Sequence, residues 1–446
     1  MRFTRTYAPY PARRAILAIL VLAAAMLPPT GAAAPVTTPL QAIIREAQQN
    51  NPEIRAARSE KEAAEQRIAP AGALDDPMLE AGFISVPVDS FRFDREDMTM
   101  KMIGMSQRFP YPGKRGLRQD VAAKDAQSAG YGFQETLNRV AREAKVAYFD
   151  LALVIESARL VEKNKLILGQ FLKIADGRYS VGQGSQADVL KAQTQLSKMT
   201  DELIKLGRER PMFEAELVRA LGRSSDAAAP VPETLQLREA PLSFDELRER
   251  GLRERPQLLA LQSVIARAEK SLELMRKESY PDFDVRFSYG QRDRMPDGTR
   301  RPDMVNLTVA INLPVWRETK VGPRIAEAQA MRDQALNMYQ AQRNEVGMKL
   351  RQQVASVQQN LRSARLYRNE ILPQARLTVE AALAAYRVNR VDFFTLLDNQ
   401  MTVYTSEIAY VNAVANYNKA LAEIDLLTGQ SSMQVSQEII RAGDRS

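Results

Sequence analysis

The amino-acid sequence predicts an α+β membrane protein, in which helices far longer than a globular core can use continue from short strands of alternating polarity. Three observations carry that prediction: an export signal with no apolar helix after it, a sequence that repeats itself, and strand patterns close to the length that crosses a bilayer.

The chain begins with a basic segment containing Arg13 and Arg14, runs through an apolar stretch from Ala15 to Leu27, and reaches small residues at Gly31, Ala32, Ala33 and Ala34. That is the pattern of a secretory signal over residues 1–34. A membrane anchor needs about 20 apolar residues, and Pro28 and Pro29 stop this run first. Cleavage removes four arginines and no acid from a chain whose formal charge is +8. The remaining positive balance is modest and argues against a nucleic-acid partner. The chain has neither cysteine nor histidine, which excludes disulfides, thiolate metal centres and a lipidated cysteine anchor. It also removes the commonest zinc ligand and general base, so no cofactor is expected and an enzyme lacks its parts. The remaining acids and bases sit mostly at helical spacing among Ala, Gln and Leu, the pattern of a solvated helix face. No apolar run of 18 residues follows Leu27, so strands must make any membrane crossing.

The mature sequence aligns onto itself. Pro52 matches Pro256, Pro77 matches Pro281, Phe83 matches Phe287, Met100 matches Met304 and Pro110 matches Pro314, without a gap through Lys145 and Lys349. Three residues are then inserted, and the match resumes with Tyr179 and Tyr386, Leu190 and Leu397, Gly222 and Gly429. The expected organisation is a first repeat at 35–223, an Ala- and Pro-rich linker at 224–242, a second repeat at 243–430 and a tail at 431–446. Each copy reads helix, strand, strand, long helix, turn, helix. Ala/Leu/Gln/Glu/Lys/Arg richness and apolar spacing put the helices at 39–72, 114–176 and 186–221, then at 243–278, 318–384 and 393–428. At 1.5 Å per residue the long helices reach on the order of 95–100 Å. The two shorter helices of each copy, stacked end to end, match one long helix and give a coiled-coil-like wall of uniform height.

The second-copy strands are the clearest. Phe283, Val285, Phe287 and Tyr289 alternate with Asp282, Asp284, Arg286 and Ser288, and Val305, Leu307, Val309, Ile311 and Leu313 alternate with Met304, Asn306, Thr308, Ala310 and Asn312. One face is apolar and the other wet. The first copy repeats the plan less cleanly, with Leu79, Ala81 and Phe83 in one strand and Thr99 to Phe109 in the other. A soluble sheet has the same period, but the export signal and the want of another core favour a barrel. Four strands cannot close in lipid, where an unpaired edge is prohibitive, so the chain must oligomerise. Two, three or four copies would supply eight, twelve or sixteen strands.

Residues 40–430 resemble the TolC-like outer-membrane factors. The resemblance rests on the duplicated plan, on Ser106-Gln107-Arg108-Phe109-Pro110-Tyr111-Pro112-Gly113-Lys114, and on Arg178-Tyr179-Ser180-Val181-Gly182 followed by Asp188-Val189-Leu190-Lys191-Ala192-Gln193. The segments Asp76-Pro77-Met78, Val86-Pro87-Val88-Asp89-Ser90 and Met98-Thr99 are similar to the branch serving heavy-metal and other cation efflux. The resemblance implies a homotrimer with a twelve-stranded barrel in outer-membrane lipid and a helical tunnel in the periplasm. It further implies a periplasmic adaptor (membrane fusion) protein and an inner-membrane resistance-nodulation-division pump as partners. Val181, Gly182 and Gln183 would form one adaptor-facing tip and Val388, Asn389 and Arg390 the other, with Asn in place of Gly. Asn tolerates the left-handed conformation better than most residues, so the turn is expected to survive.

The resemblance also implies a constriction beyond the tips, at Asp188 in the first copy and at Thr395 and Asp398 in the second. The competing reading is that these acids cap or start the helices after each turn. Met98, Met100, Met102 and Met105 invite a soft-metal site. Filling of an apolar face outweighs it, and no metal site is assigned. Hydrophobicity alone points the even-numbered methionines outward, whereas the repeat alignment puts Met100 and Met102 on the wet face and Ile103, Met105 and Phe109 on the lipid face. The function implied is passive conduction of substrates, metal cations first, handed over by a pump. Drug efflux or type I protein secretion are the alternatives within the family, and a periplasmic coiled-coil scaffold the alternative outside it.

Overall fold

The structure is a computed structural model that describes residues 37–239 and 241–430. The expected signal at 1–34 and tail at 431–446 lie outside the described residues. In the first copy the elements are α1 (Leu40–Asn50), α2 (Pro52–Gln66), α3 (Ile68–Gly72), β1 (Met78–Ile84), β2 (Met100–Phe109), α4 (Lys114–Ser180) and α5 (Gln186–Ala220). In the second they are α6 (Phe244–Glu254), α7 (Pro256–Lys277), β3 (Phe283–Gln291), β4 (Met304–Ile311), α8 (Gly322–Leu366), α9 (Leu372–Arg387) and α10 (Phe393–Leu427).

The expected helices 39–72 and 243–278 are each interrupted, and the reason is proline. A proline pushes the residue before it out of the helical region. Asn51 before Pro52 has ψ 126° and Arg255 before Pro256 has ψ 122°. Asn51 turns the break into a cap, accepting from the Glu53 amide at 2.8 Å while donating to the Ala220 carbonyl at 2.9 Å. A matched glycine presses on each break. Gly222 and Gly429, at φ 68° and 71°, have room for no side chain: a Cβ would stand 2.7 Å from the Asn50 carbonyl oxygen and 2.6 Å from that of Glu254. Each copy thereby clasps the end of its last helix to the break in its first.

The expected helix 318–384 also departs from a plain α-helix. π-helical turns occupy Arg317–Val321 and Tyr367–Ile371, immediately before Pro323 and Pro373. There the Gly322 and Leu372 amides reach carbonyls five residues back, at Arg317 and Tyr367. Such turns absorb extra residues without ending the helix. The second lies within the stretch where the repeat gains its three residues. α4 runs unbroken for 67 residues, about 100 Å.

The four strands form one antiparallel sheet in the order β1-β2-β3-β4, so the β2–β3 pair joins the two copies. The register aligns Leu79, Met105, Phe287 and Leu307 in one cross-strand row and Ala81, Ile103, Tyr289 and Val305 in the next. These rows are the outer face; the four large side chains of the first row are more than half exposed. The opposite face carries Glu80, Gly104, Ser288 and Asn306, with Glu80 paired to Arg286 at 3.1 Å. Met100 and Met102 share this wet face, as the repeat alignment predicts and against their hydrophobicity. Beyond the strands, Arg301 donates to the Phe93 carbonyl at 2.8 Å and the Asp293 carbonyl at 2.6 Å, and so holds the two strand-connecting loops together.

Sheet and helices meet at one buried charge cluster. Lys114, 1% exposed at the start of α4, donates to Asp282 at 2.8 Å and to the Tyr280 carbonyl at 2.9 Å. Asp282 also accepts from the Tyr111 amide at 2.9 Å and from Arg108 at 3.1 Å. Every residue in the cluster lies at a strand–helix junction, and the two copies contribute opposite charges. Lys114→Met removes the buried cation from Asp282 and leaves it only the half-exposed Arg108, and breaking a buried pair in this way costs about 3–5 kcal/mol. It should lower the melting temperature of the detergent-solubilised protein far more than Arg108→Met, whose guanidinium is half exposed.

Further down the helical wall Glu407 of α10 is buried between Lys163 of α4 at 2.8 Å and Arg376 of α9 at 2.6 Å. Beside it Gln400 donates to Asn164 at 2.9 Å. Burial pushes the Glu407 carboxyl up, but the two cations outweigh burial and hold it below its ordinary value of 4.5. A depressed carboxylate stabilises the fold fully above its unfolded pKa and loses that contribution as pH falls through its folded value. The melting temperature of the wild type relative to Glu407→Gln should therefore decline as pH is lowered from about 6 to 3.

Candidate functional site at the hairpin tips

The α4–α5 and α9–α10 turns form the tips of the helical hairpins, and they close with the same hydrogen bonds. At the first, the Gly182 amide donates to Tyr179 at 3.0 Å and Gln183 to Arg178 at 2.9 Å; at the second, Asn389 donates to Tyr386 at 3.2 Å and Arg390 to Ala385 at 2.9 Å. Gly182 sits at φ 73° and Asn389 at φ 61°. The asparagine therefore keeps the left-handed turn that its glycine counterpart makes. All six tip residues, Val181, Gly182, Gln183, Val388, Asn389 and Arg390, are exposed, including both valines.

One side chain that sequence reasoning missed ties the tips together. Arg178, in the last turn of α4, donates to the Tyr386 carbonyl in α9 and to Gln183 at 3.3 Å. Its guanidinium lies 4.5 Å from the centre of the Tyr386 ring. Tyr386 is buried against Phe393, and burial raises its phenol pKa. A signal was present: Arg178 is a cation inside a repeated motif whose second copy has Ala385 at that position.

The structure also separates the acids from the caps. An N-cap must be extended just before the first helical turn. Ser185, at ψ 143°, fills that place in α5 and accepts from Ala187 at 3.1 Å; Asp392, at ψ 165°, fills it in α10 and accepts from Thr395 at 2.7 Å. Asp188 is therefore a first-turn acid and no cap, which corrects half of the competing reading. Asp398 is the sixth residue of α10, exposed and beyond the first turn, so neither cap nor dipole accounts for it. Thr395 is exposed beside it. Among the described residues no hydrogen bond or ion pair joins Asp188 to Asp398, although the Asp188 charge acts on Tyr386 at the second tip. Among the same residues no cluster of three or more Asp or Glu is placed to hold a metal, and no helix is long and apolar enough to cross a membrane.

The family described as "Outer membrane efflux protein" matches residues 43–223 and 247–430. The cobalt-zinc-cadmium resistance protein CzcC of Cupriavidus metallidurans is 23% identical over 405 residues, 90% of this chain and 92% of its own. Solved outer-membrane structures share the fold, among them the two that follow. The outer membrane protein VceC of Vibrio cholerae aligns with a TM-score of 0.73 at 16% identity, over 87% of this chain and 96% of its own. The MtrE outer membrane channel of Neisseria gonorrhoeae aligns at 0.71 and 15% identity, over 88% and 89%.

The turn geometry makes a direct test. Space around Gly182 is open, since a Cβ there meets nothing within 4 Å. Only backbone strain opposes substitution, about 1–2 kcal/mol for an ordinary L-residue in this conformation. Gly182→Asn should behave as Asn389 already does and leave the fold unchanged. Gly182→Val should speed amide hydrogen exchange across the first tip by roughly tenfold, with the rest of the chain unaltered.

Proposed function

This chain belongs to the outer membrane efflux protein family, and we propose that it forms the exit duct of a three-part export system whose cargo is metal cations. The carrying observation is the sheet, with an apolar row turned outward, charged and hydroxyl side chains turned inward, and free edges at β1 and β4. A bilayer tolerates neither edge, so copies must close the sheet on itself. Three copies give a twelve-stranded barrel, and α4 continues from it as one strut of a tunnel wall. The barrel crosses the outer membrane, and the helices span the periplasm.

In this reading the paired tips, Val181–Gln183 and Val388–Arg390, receive the helical hairpins of a periplasmic adaptor, which connects the duct to an inner-membrane pump of the resistance-nodulation-division class. The two exposed valines supply apolar contact, and Arg178 holds the two turns as one surface. The cargo assignment follows the similarity to CzcC, whose name records cobalt, zinc and cadmium.

Asp188, Asp398 and Thr395 narrow the duct above the tips. Repeated threefold, the two acids crowd six carboxylates around one axis, which attracts cations and lets multivalent ones bridge and block. Ser185 and Asp392 hold the helix caps, so the acids can be neutralised without disturbing the helices that carry them. Asp188→Asn with Asp398→Asn, reconstituted in planar bilayers, should show lower cation selectivity and weaker block by trivalent cations, with the trimer intact. Unchanged selectivity and block would place the constriction elsewhere.

A further inference from the structure

The strand register brings together three methionines that are scattered in sequence. Gly82, Met102, Gly290 and Met304 form one row across all four strands, and Met100 stands two residues beyond Met102 on the same wet face. Two members of the row are glycines. Directly paired antiparallel residues have Cα atoms about 4.5–5.5 Å apart, so Met102 and Met304 flank a slot above Gly290 that no side chain fills from below. The Met100 thioether lies in that slot: a Cβ on Gly290 would stand 2.5 Å from its sulfur. Met100 is 5% exposed, and Met102 and Met304 are half-buried.

We propose that Met100, Met102 and Met304 form a thioether site for a soft monovalent cation, Cu⁺ or Ag⁺, on the inner face of the barrel. Three observations separate this from gap filling. The face is the wet one, shared with Glu80, Arg286, Ser288 and Asn306, and lies opposite the lipid-facing rows. The two copies of the repeat contribute to a single cluster. The glycines beneath it leave the sulfurs the room that larger residues would occupy. Thioether sulfur selects soft monovalent ions over zinc or cobalt. Being neutral, the three sulfurs hold the ion without strong electrostatic trapping, as a conducting pathway requires. Met98, exposed ahead of β2, and Met105, on the outer face, take no part. The proposal rests on the reading that the inner face lines a pore.

Silver titrated calorimetrically into the full-length detergent-solubilised protein, in chloride-free buffer, is expected to fill one site per chain that excess Zn²⁺ does not displace. Met102→Leu with Met304→Leu preserves volume and should weaken that site at least about tenfold. Met98→Leu with Met105→Leu should leave it unchanged. Loss of the site in the Met98/Met105 variant, equal silver binding by the Met102/Met304 variant, or displacement by Zn²⁺ would overturn the assignment. X-ray absorption of the Cu⁺-loaded wild type depends on no variant: a sulfur-only shell supports the site, and an oxygen or nitrogen shell sinks it. Silver binding by a protein that does not conduct in bilayers would support the site and count against the pore alone.

Discussion

The buried pair of Lys114 and Asp282 stands where a flat sheet has to become a wall of helices. A strand and a helix present backbone groups in different directions, so the junction leaves amides and carbonyls without regular partners. Asp282 collects the Tyr111 amide and the Lys114 ammonium, and Lys114 in turn collects the Tyr280 carbonyl. The stacked rings of Tyr111 and Tyr280, 4.6 Å apart, cover the cluster. Because the lysine comes from one copy and the aspartate from the other, the junction also fixes how the copies sit against each other. The β2–β3 pairing lies on one side of it and the α4–α7 packing on the other.

Duplication gives the molecule matched parts, and the departures from the match lie at specific places. The glycine clasps at Gly222 and Gly429 are conformational twins, held on helix breaks that Pro52 and Pro256 both impose. The long helices differ: the first runs unbroken, whereas the second passes through two π-helical turns beside prolines. The three residues gained between Lys349 and Tyr386 therefore extend the wall without breaking it. Down the same wall Glu407 joins α4, α9 and α10 through two cations, a polar contact that only one relative alignment of the hairpins satisfies.

At the tips, the helix caps and the exposed acids are different residues. Ser185 and Asp392 satisfy the first amides of α5 and α10, and Asp188 and Asp398 remain exposed beyond the caps. Arg178 makes the two turns a single surface, with its charge spread over the Tyr386 ring and two carbonyls. The valines at 181 and 388 are exposed, one on each turn.

The sequence by itself determined the duplication, the unbroken first long helix and the faces of the strands, because each is a periodicity or a local preference that neighbouring residues express together. It also determined that Asn389 would keep its turn, since left-handed tolerance belongs to the residue. Only the tertiary structure decided the helix breaks at Asn51 and Arg255 as working contacts, since what presses on them comes from about 170 residues away. The same holds for Arg178 on Tyr386, and for Met304 joining Met100 and Met102. A run of methionines at 98–105 suggested one neighbourhood; pairing across strands discarded two of its members and supplied another. Residues far apart in the chain meet through sheet register and hairpin packing, and no local pattern records which partner they will find.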